Sequence, residues 1–257
     1  MKKVYYPTII NQEEIAENIF RMELELDEIA KVALPGQFIN LYCKEGENLL
    51  PRPISICEVN KEKGIVTLVY AVVGKGTNSF SLLKKGENVK VLGPLGNGFQ
   101  IDKSIEKHIL IGGGIGVPPL IELAKHLTGE IYAFLGFAES PILVKELENY
   151  GAKVFVATDK GREGFKGNVI DLIKNENISG DMIYSCGPKP MLKAVSIWAE
   201  EMGIKAQVSM EERMACGIGV CVGCTCKHKK NEEEDWENKK VCTDGPVFWS
   251  EEVVWNE

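Results

Sequence analysis

Apolar and polar residues alternate in short runs through the first hundred positions, with Gly, Pro and Asn clusters between the runs. Period-two alternation broken by turn residues predicts strands at 19–26, 37–43, 54–59, 65–73 and 88–92. Short strands at this even spacing predict an antiparallel β-barrel or sandwich. One short helix is expected at 78–83, just after V-V-G-K-G-T. The pattern then changes. Strands expected at 108–111, 131–137, 153–158, 182–186 and 206–209 alternate with helices expected at 118–127, 141–150, 168–174 and 188–202. Prolines stand at or near the starts of these helices, where a missing N–H costs least. Repeated β-α-β units predict an α/β domain, a parallel sheet with helices on both faces. From Met210 onward the chain is rich in glycine and cysteine, then strongly charged, and the charged run at 227–240 reads as a solvated hairpin or loop. The pattern therefore predicts several domains: a barrel over 1–100, an α/β domain over 101–209 and a small cysteine-rich domain over 210–257.

Length and composition narrow the functional classes. A chain of 257 residues is long enough for two or three domains with real cores. A formal net charge of −7 argues against a nucleic-acid surface. The most apolar stretch, 109–121, is 13 residues long with four glycines and two prolines, so no membrane span is expected. No segment reads as a signal peptide. Eight cysteines in such a chain favour metal or redox use over disulfides, and the cytoplasm is the expected location.

Four of those cysteines carry the strongest chemistry. Cys216, Cys221 and Cys224 stand as C-x4-C-x2-C, and Cys242 follows after 17 intervening residues. This is the plant-type spacing for a [2Fe–2S] cluster, in which four thiolates hold two irons. Thiolates are soft ligands suited to iron–sulfur units. Three of them on one tight loop need a backbone that wraps closely, which Gly217, Gly219 and Gly223 permit. Cys226, two residues beyond Cys224, is an extra thiol that could substitute or be oxidised.

Other motifs are less specific taken singly. The expected strand H-I-L-I runs into G-G-G-I-G-V-P-P, placing Gly112, Gly113, Gly114 and Gly116 before a helix. Such a turn cradles a phosphate or merely connects strand to helix. Val117 breaks the G-x-G-x-x-G dinucleotide fingerprint. Cys186, Gly187 and Pro188 end another expected strand, where ligands of open α/β sheets bind; a buried strand-end thiol is the alternative. Arg52 offers a forked donor for a phosphate, and Ser55 a small hydroxyl. Gly74, Gly76 and Thr77 open the short helix and form a second candidate phosphate cradle. Glu139, just after the second α/β strand, suits a ribose hydroxyl and repels a 2′-phosphate, which favours NAD over NADP; it also reads as the start of the next helix.

In this order the motifs resemble the ferredoxin reductase family. Within it, the whole chain is similar to the electron-transfer subunits of class 1B dihydroorotate dehydrogenases. The resemblance rests on RPISI (52–56), GKGTNSFS (74–81), GPLGNGF (93–99), GGGIGVPPL (112–120), SCGPKPML (185–192), SMEERMACGIGVCVGC (209–224) and VCTDGPVF (241–248). It implies an NAD-linked oxidoreductase subunit acting in pyrimidine biosynthesis. FAD would be held by Arg52, Pro53, Ile54 and Ser55, lined by Val69, Tyr70 and Ala71, with Gly76 and Thr77 on phosphate. NAD would lie along Gly112 to Gly116, Cys186, Gly187 and Pro188, near Glu139. Ser55 at the flavin and Cys186 at the nicotinamide would be the catalytic pair, and Cys216, Cys221, Cys224 and Cys242 would ligate iron. The implied partner is an FMN-containing dihydroorotate dehydrogenase catalytic subunit, in a heterotetramer; this chain shows no site for orotate itself. Ile54 departs from the family, many of whose members stack a tyrosine on the flavin there. Two other readings stand beside this one. One is a flavin and iron–sulfur reductase subunit serving a hydrogenase, an oxygenase or a bifurcating ferredoxin enzyme. The other is a non-catalytic module whose four cysteines bind zinc, although Cys242 has no second cysteine beside it.

Overall fold

A computed structural model describes residues 3–44, 49–230 and 235–255. The first sheet is antiparallel throughout and has seven strands: β1 (Lys3–Tyr5), β2 (Thr8–Ala16), β3 (Ile19–Glu25), β4 (Phe38–Tyr42), β5 (Arg52–Asn60), β6 (Ile65–Ala71) and β7 (Lys90–Leu95). Their order is β1-β7-β4-β5-β6-β3-β2. β1 and β2 follow one another in the chain yet lie at opposite ends of this order. A bridge from Thr8 to Asn88 joins β2 to the segment that enters β7, with Ile9 N–H donating to the Glu87 carbonyl at 2.9 Å and Val89 N–H to the Pro7 carbonyl at 3.1 Å. The sheet thus closes into the expected barrel, which leaves no free edge there. Alternate residues fill it: Ile39 and Leu41 of β4 pack inside with Met22, Leu24, Ile56, Leu68 and Tyr70. Two short helices, α1 (Asp27–Val32) and α2 (Lys75–Ser81), flank it.

The second sheet holds β8 (Lys107–Gly113), β9 (Glu130–Phe137), β10 (Ala152–Thr158), β11 (Phe165–Lys166), β12 (Met182–Cys186) and β13 (Lys205–Ser209). These run parallel in the order β11-β10-β9-β8-β12-β13. Helices α3 (Pro118–His126), α4 (Val144–Asn149), α5 (Val169–Glu176) and α6 (Lys189–Met202) connect them. Their ends are set locally. Pro118 opens α3, the Asn168 side chain accepts from the Ile170 and Asp171 N–H groups to cap α5, and Gly203 ends α6 with φ +66°. Strand order reverses between β8 and β12, and open α/β sheets bind ligands outside the carboxyl ends of strands at such a point. The C-terminal segment supplies a hairpin, β14 (Thr225–Lys229) with β15 (Trp236–Lys240), and then β16 (Val247–Trp249), which adds antiparallel to β13. The expected hairpin therefore forms; its residues 231–234 lie outside the described residues. Among the described residues no helix is long and apolar enough to cross a membrane.

Several elements go beyond the sequence pattern: β1, α1, β11 and β16 were not expected, and β2 and α2 differ for physical reasons. β2 reads T-I-I-N-Q-E-E-I-A, too polar to predict as a strand. Its polarity has a use: the Gln12 side chain donates to the Phe80 and Leu83 carbonyls, 2.8 Å each, and ties α2 to the barrel. α2 also begins at Lys75, not 78, because Thr77 closes its first turn by accepting from Gly74 N–H.

One contact between the barrel and the α/β domain is made by strand backbone that no neighbouring strand pairs on one edge. β4 pairs with β5 only as far as Ser55, so the outer edge of β5 is open beyond it. Helix α3 supplies what a strand would have supplied. The Val59 N–H donates to Glu122 Oε2 at 2.9 Å, and the Lys125 ammonium donates to the Val59 carbonyl. Glu122 is 1% exposed and also faces His126 Nε2 at 2.9 Å. Arg21 with Glu146, and Tyr150 with Glu58, add two more contacts across the same seam. Glu122→Ala should cost about 1–3 kcal/mol, since it strands a buried N–H. Glu122→Gln keeps an acceptor and should lose less. Denaturant unfolding of the two variants checks this; an alanine variant within about 0.5 kcal/mol of the parent would show that the clamp contributes nothing.

Candidate functional site

The flavin motif lies on the middle strand of three. In the order β4-β5-β6, β5 carries Arg52, Pro53, Ile54 and Ser55. The outer residues of β4, Phe38 and Tyr42, pack with Cys224, Val241 and Cys242 of the C-terminal segment. Val69 of β6 packs with Val117 and Leu120 of the α/β domain. Pro53 stands opposite Asn40 and Ser55 opposite Phe38, so both face outward with them. Ile54 pairs with Ile39 and packs on the barrel core. Tyr70 points inward as well: it is buried against Phe20 and Phe80, and burial raises its hydroxyl pKa. Of the three lining residues on β6, Val69 and Ala71 therefore face out and Tyr70 does not.

The residues expected at the flavin phosphates come together. The Arg52 guanidinium donates to the Leu50 carbonyl at 2.6 Å and lies against the first turn of α2. A Cβ on Gly76 would fall 2.5 Å from Arg52 Nε, so a larger residue there would push the guanidinium aside. Thr77 is buried, and its hydroxyl accepts from Val73 N–H at 2.9 Å and Gly74 N–H at 3.2 Å. That hydroxyl serves the helix cap. The groups left here that could donate to a phosphate are the Arg52 fork and backbone N–H groups.

At the switch point of the second sheet, the two glycine motifs touch. Gly112 pairs with Cys186. A Cβ on Gly116 would lie 2.3 Å from the Cys186 carbonyl, and one on Gly113 2.6 Å from Met191 Sδ. These glycines serve close packing of two turns. Gly114 is different: its φ is +52° and nothing lies within 4 Å of a Cβ there, so its backbone faces open space. Pro188 begins α6 beside Gly113, and Gly187 sits against both. Burial pushes the Cys186 thiol up to about 12, although Ser209 hydrogen-bonds to it, so it stays protonated at neutral pH. Glu139 is exposed and lies beyond the end of β9. It pairs with Lys160 and, at 3.7 Å, with Arg162, both from the loop after β10. The Lys160 hydrogen bond and both cations lower its pKa. Sequence reasoning missed these cations because nothing in the chain marks residues about twenty positions apart as neighbours.

The four cysteines form two pairs. Cys221 Sγ is 3.3 Å from Cys216 Sγ, and the Cys224 thiol hydrogen-bonds with Cys242. Burial alone would raise Cys216, but N–H groups of Cys221, Ile218 and Val220, with the Cys221 thiol, bring it down to about 6. Cys242 is pushed up to about 11 by burial and by Cys224, with Gly219 N–H opposing. Among the described residues no three His, Cys, Asp or Glu side chains are spaced for one metal ion. Two pairs of thiols suit a two-iron cluster, with amides of one loop already aimed at the sulfurs. Cys226 is buried, 3.7 Å from His228 Nδ1 and 3.7 Å from the Lys239 carbonyl; neither contact is a thiol. The loop is held from the barrel side. Gly217 has φ +68°, and a Cβ there would fall 2.2 Å from Asn40 Nδ2.

Comparison with known proteins agrees with this geometry. Residues 7–99 match the oxidoreductase FAD-binding domain, and residues 211–254 match the iron–sulfur cluster binding domain of dihydroorotate dehydrogenase B. Barrel and cysteine loop together thus define a flavin and iron–sulfur oxidoreductase. A dihydroorotate dehydrogenase B (NAD(+)) electron transfer subunit of Bacillus cereus is 43% identical over 254 residues, covering 96% of each chain. One of Caldanaerobacter subterraneus subsp. tengcongensis is 39% identical over 247 residues, again covering 96% of each. A solved structure of NADH-dependent reduced ferredoxin-NADP oxidoreductase superposes with TM-score 0.88 at 31% identity, covering 98% of this chain and 91% of that one. The chain belongs to the family of dihydroorotate dehydrogenase B electron transfer subunits.

Gly217→Ala should lower iron and labile sulfide per chain, since its methyl meets Asn40 and its φ is unfavourable. Gly223→Ala, whose methyl would meet nothing nearer than Cys221 Sγ at 3.7 Å, should keep them. Iron and sulfide assays on both variants check the contrast; equal loading would contradict it.

Proposed function

We propose that this chain passes electrons from an FMN-containing dihydroorotate-oxidising partner to NAD⁺, with its own [2Fe–2S] cluster and FAD between them. The observation that carries the proposal is the strand order β4-β5-β6. It puts the flavin motif between a strand that faces the cysteine loop and one that faces the α/β domain. When bound, FAD exchanges hydrides with nicotinamide and single electrons with the cluster, which only one-electron chemistry reaches.

The chain's own residues bind, orient and exclude water. Arg52 and the α2 backbone hold the pyrophosphate, while Val69, Ala71 and the Ser55 strand give the flavin its seat, with the Ser55 hydroxyl at its reactive edge. Gly114 admits the dinucleotide to the sheet's switch point, and Gly187 and Pro188 complete that crevice. The neutral Cys186 thiol would give the nicotinamide a small, uncharged wall, and alignment of the two rings would be the catalytic contribution. Cys216, Cys221, Cys224 and Cys242 hold the irons. Around Cys221, Val220 is 81% exposed and Val222 73% exposed, an apolar rim that supports docking of a second redox protein beside the cluster. The relatives' names, which call each an electron transfer subunit, support assembly with a further subunit; a heterotetramer with the catalytic subunit is the assembly proposed.

The likeness to the NADH-dependent reduced ferredoxin-NADP oxidoreductase favours a second reading, a subunit of a bifurcating enzyme with the same fold and a different partner. Activity separates the two. The chain alone should oxidise NADH with an artificial acceptor and make no orotate from dihydroorotate; adding the FMN partner should bring NAD⁺-dependent orotate formation. Orotate made by the chain alone, or none with the partner, would overturn the reading. Glu139→Gln should raise the NADPH-to-NADH ratio of kcat/KM roughly three- to tenfold, by removing a repulsive charge and freeing Lys160 and Arg162 for a 2′-phosphate. An unchanged ratio would remove Glu139 from nucleotide selection.

A further inference from the structure

One polar side chain on the barrel has no use in the reading above. Asn40 is the only polar residue of β4, F-I-N-L-Y, and is 0% exposed. Neither its Nδ2 nor its Oδ1 has a hydrogen-bond partner. Leaving a buried amide unpaired costs about 1–3 kcal/mol, and native proteins rarely do so without a reason. Its surroundings say what it faces. Alternation puts it on the outer face with Phe38 and Tyr42, which pack on Cys224 and Cys242. Its Nδ2 lies against Gly217, the residue after Cys216. On the other side Asn40 stands opposite Pro53 of the flavin motif.

We propose that Asn40 is the barrel's hydrogen-bond donor to the iron–sulfur cluster, its Nδ2–H directed at sulfur on the Cys216 side. The inference rests on the iron–sulfur reading of the cysteine loop. Reduction adds negative charge to a cluster, and a donor to its sulfur stabilises the reduced form. Asn40 thereby sets the cluster potential from the strand next to the flavin motif. It is a positioning and tuning residue, and the loop's own amides do the rest.

The test uses the full chain, loaded with flavin and cluster, in redox titrations followed by electron paramagnetic resonance and visible absorption. Asn40→Leu keeps the branching and heavy-atom count and removes the donor. Asn40→Asp keeps the shape and replaces the donor with a negative group. Both should shift the cluster midpoint to lower potential and alter its resonance spectrum, with the flavin midpoint unmoved. A wild-type chain labelled with side-chain ¹⁵N asparagine needs no variant to fold. Its reduced cluster should show a coupling to that nitrogen. An unmoved cluster midpoint in a loaded variant, a shift of the flavin alone, or no nitrogen coupling would overturn the inference. A wild-type chain without iron and labile sulfide would instead overturn the cluster reading itself, and this inference with it.

Discussion

The arrangement depends on which neighbours the flavin-motif strand has. Hydrogen bonding of β5 between β4 and β6 decides what the flavin site touches on each side. β4 turns its outer face to the cysteine loop, and β6 turns its outer face to the α/β domain. A chain with the same motifs and another strand order would bind the same cofactors without connecting them. The order is held by two seats. On one side α3 caps the open edge of β5 through Glu122 and Lys125. On the other, Gly217 lets the cluster loop close on Asn40. β16 adds a third attachment, since the C-terminal segment completes the edge of the α/β sheet.

Electrostatics at the two ends are opposed in a useful way. The cysteine loop aims several N–H groups at Cys216, enough to overcome burial and hold it as a thiolate. Cys186 has burial with little to offset it and remains a neutral thiol. One thiol is prepared for cationic iron and the other stays neutral. Each follows from the same balance between desolvation and hydrogen bonding to the charged form.

Much of this was legible in the sequence because it depends on short-range spacing. C-x4-C-x2-C needs one loop, the glycine turn needs one strand and one helix, and prolines mark helix starts locally. What escaped depends on tertiary neighbours. β2 is polar because Gln12 serves a helix 68 residues away. Nothing in α3, P-P-L-I-E-L-A-K-H, marks Glu122 for burial; the open edge of β5 explains it. Thr77 read as part of a phosphate cradle, and nothing in the sequence showed that its hydroxyl accepts from Gly74 N–H at the helix cap. The single polar residue in F-I-N-L-Y was the one visible signal for Asn40, and nothing in the sequence said what lay opposite.

The most direct test of the account is rapid anaerobic mixing of the loaded chain with NADH, followed by visible absorption. The account predicts that the flavin band bleaches first and the cluster band follows, because the α/β domain meets the flavin seat and the cysteine loop lies beyond it. Cluster bleaching ahead of the flavin, or at full rate in a chain stripped of FAD, would contradict the order of sites on which the account rests.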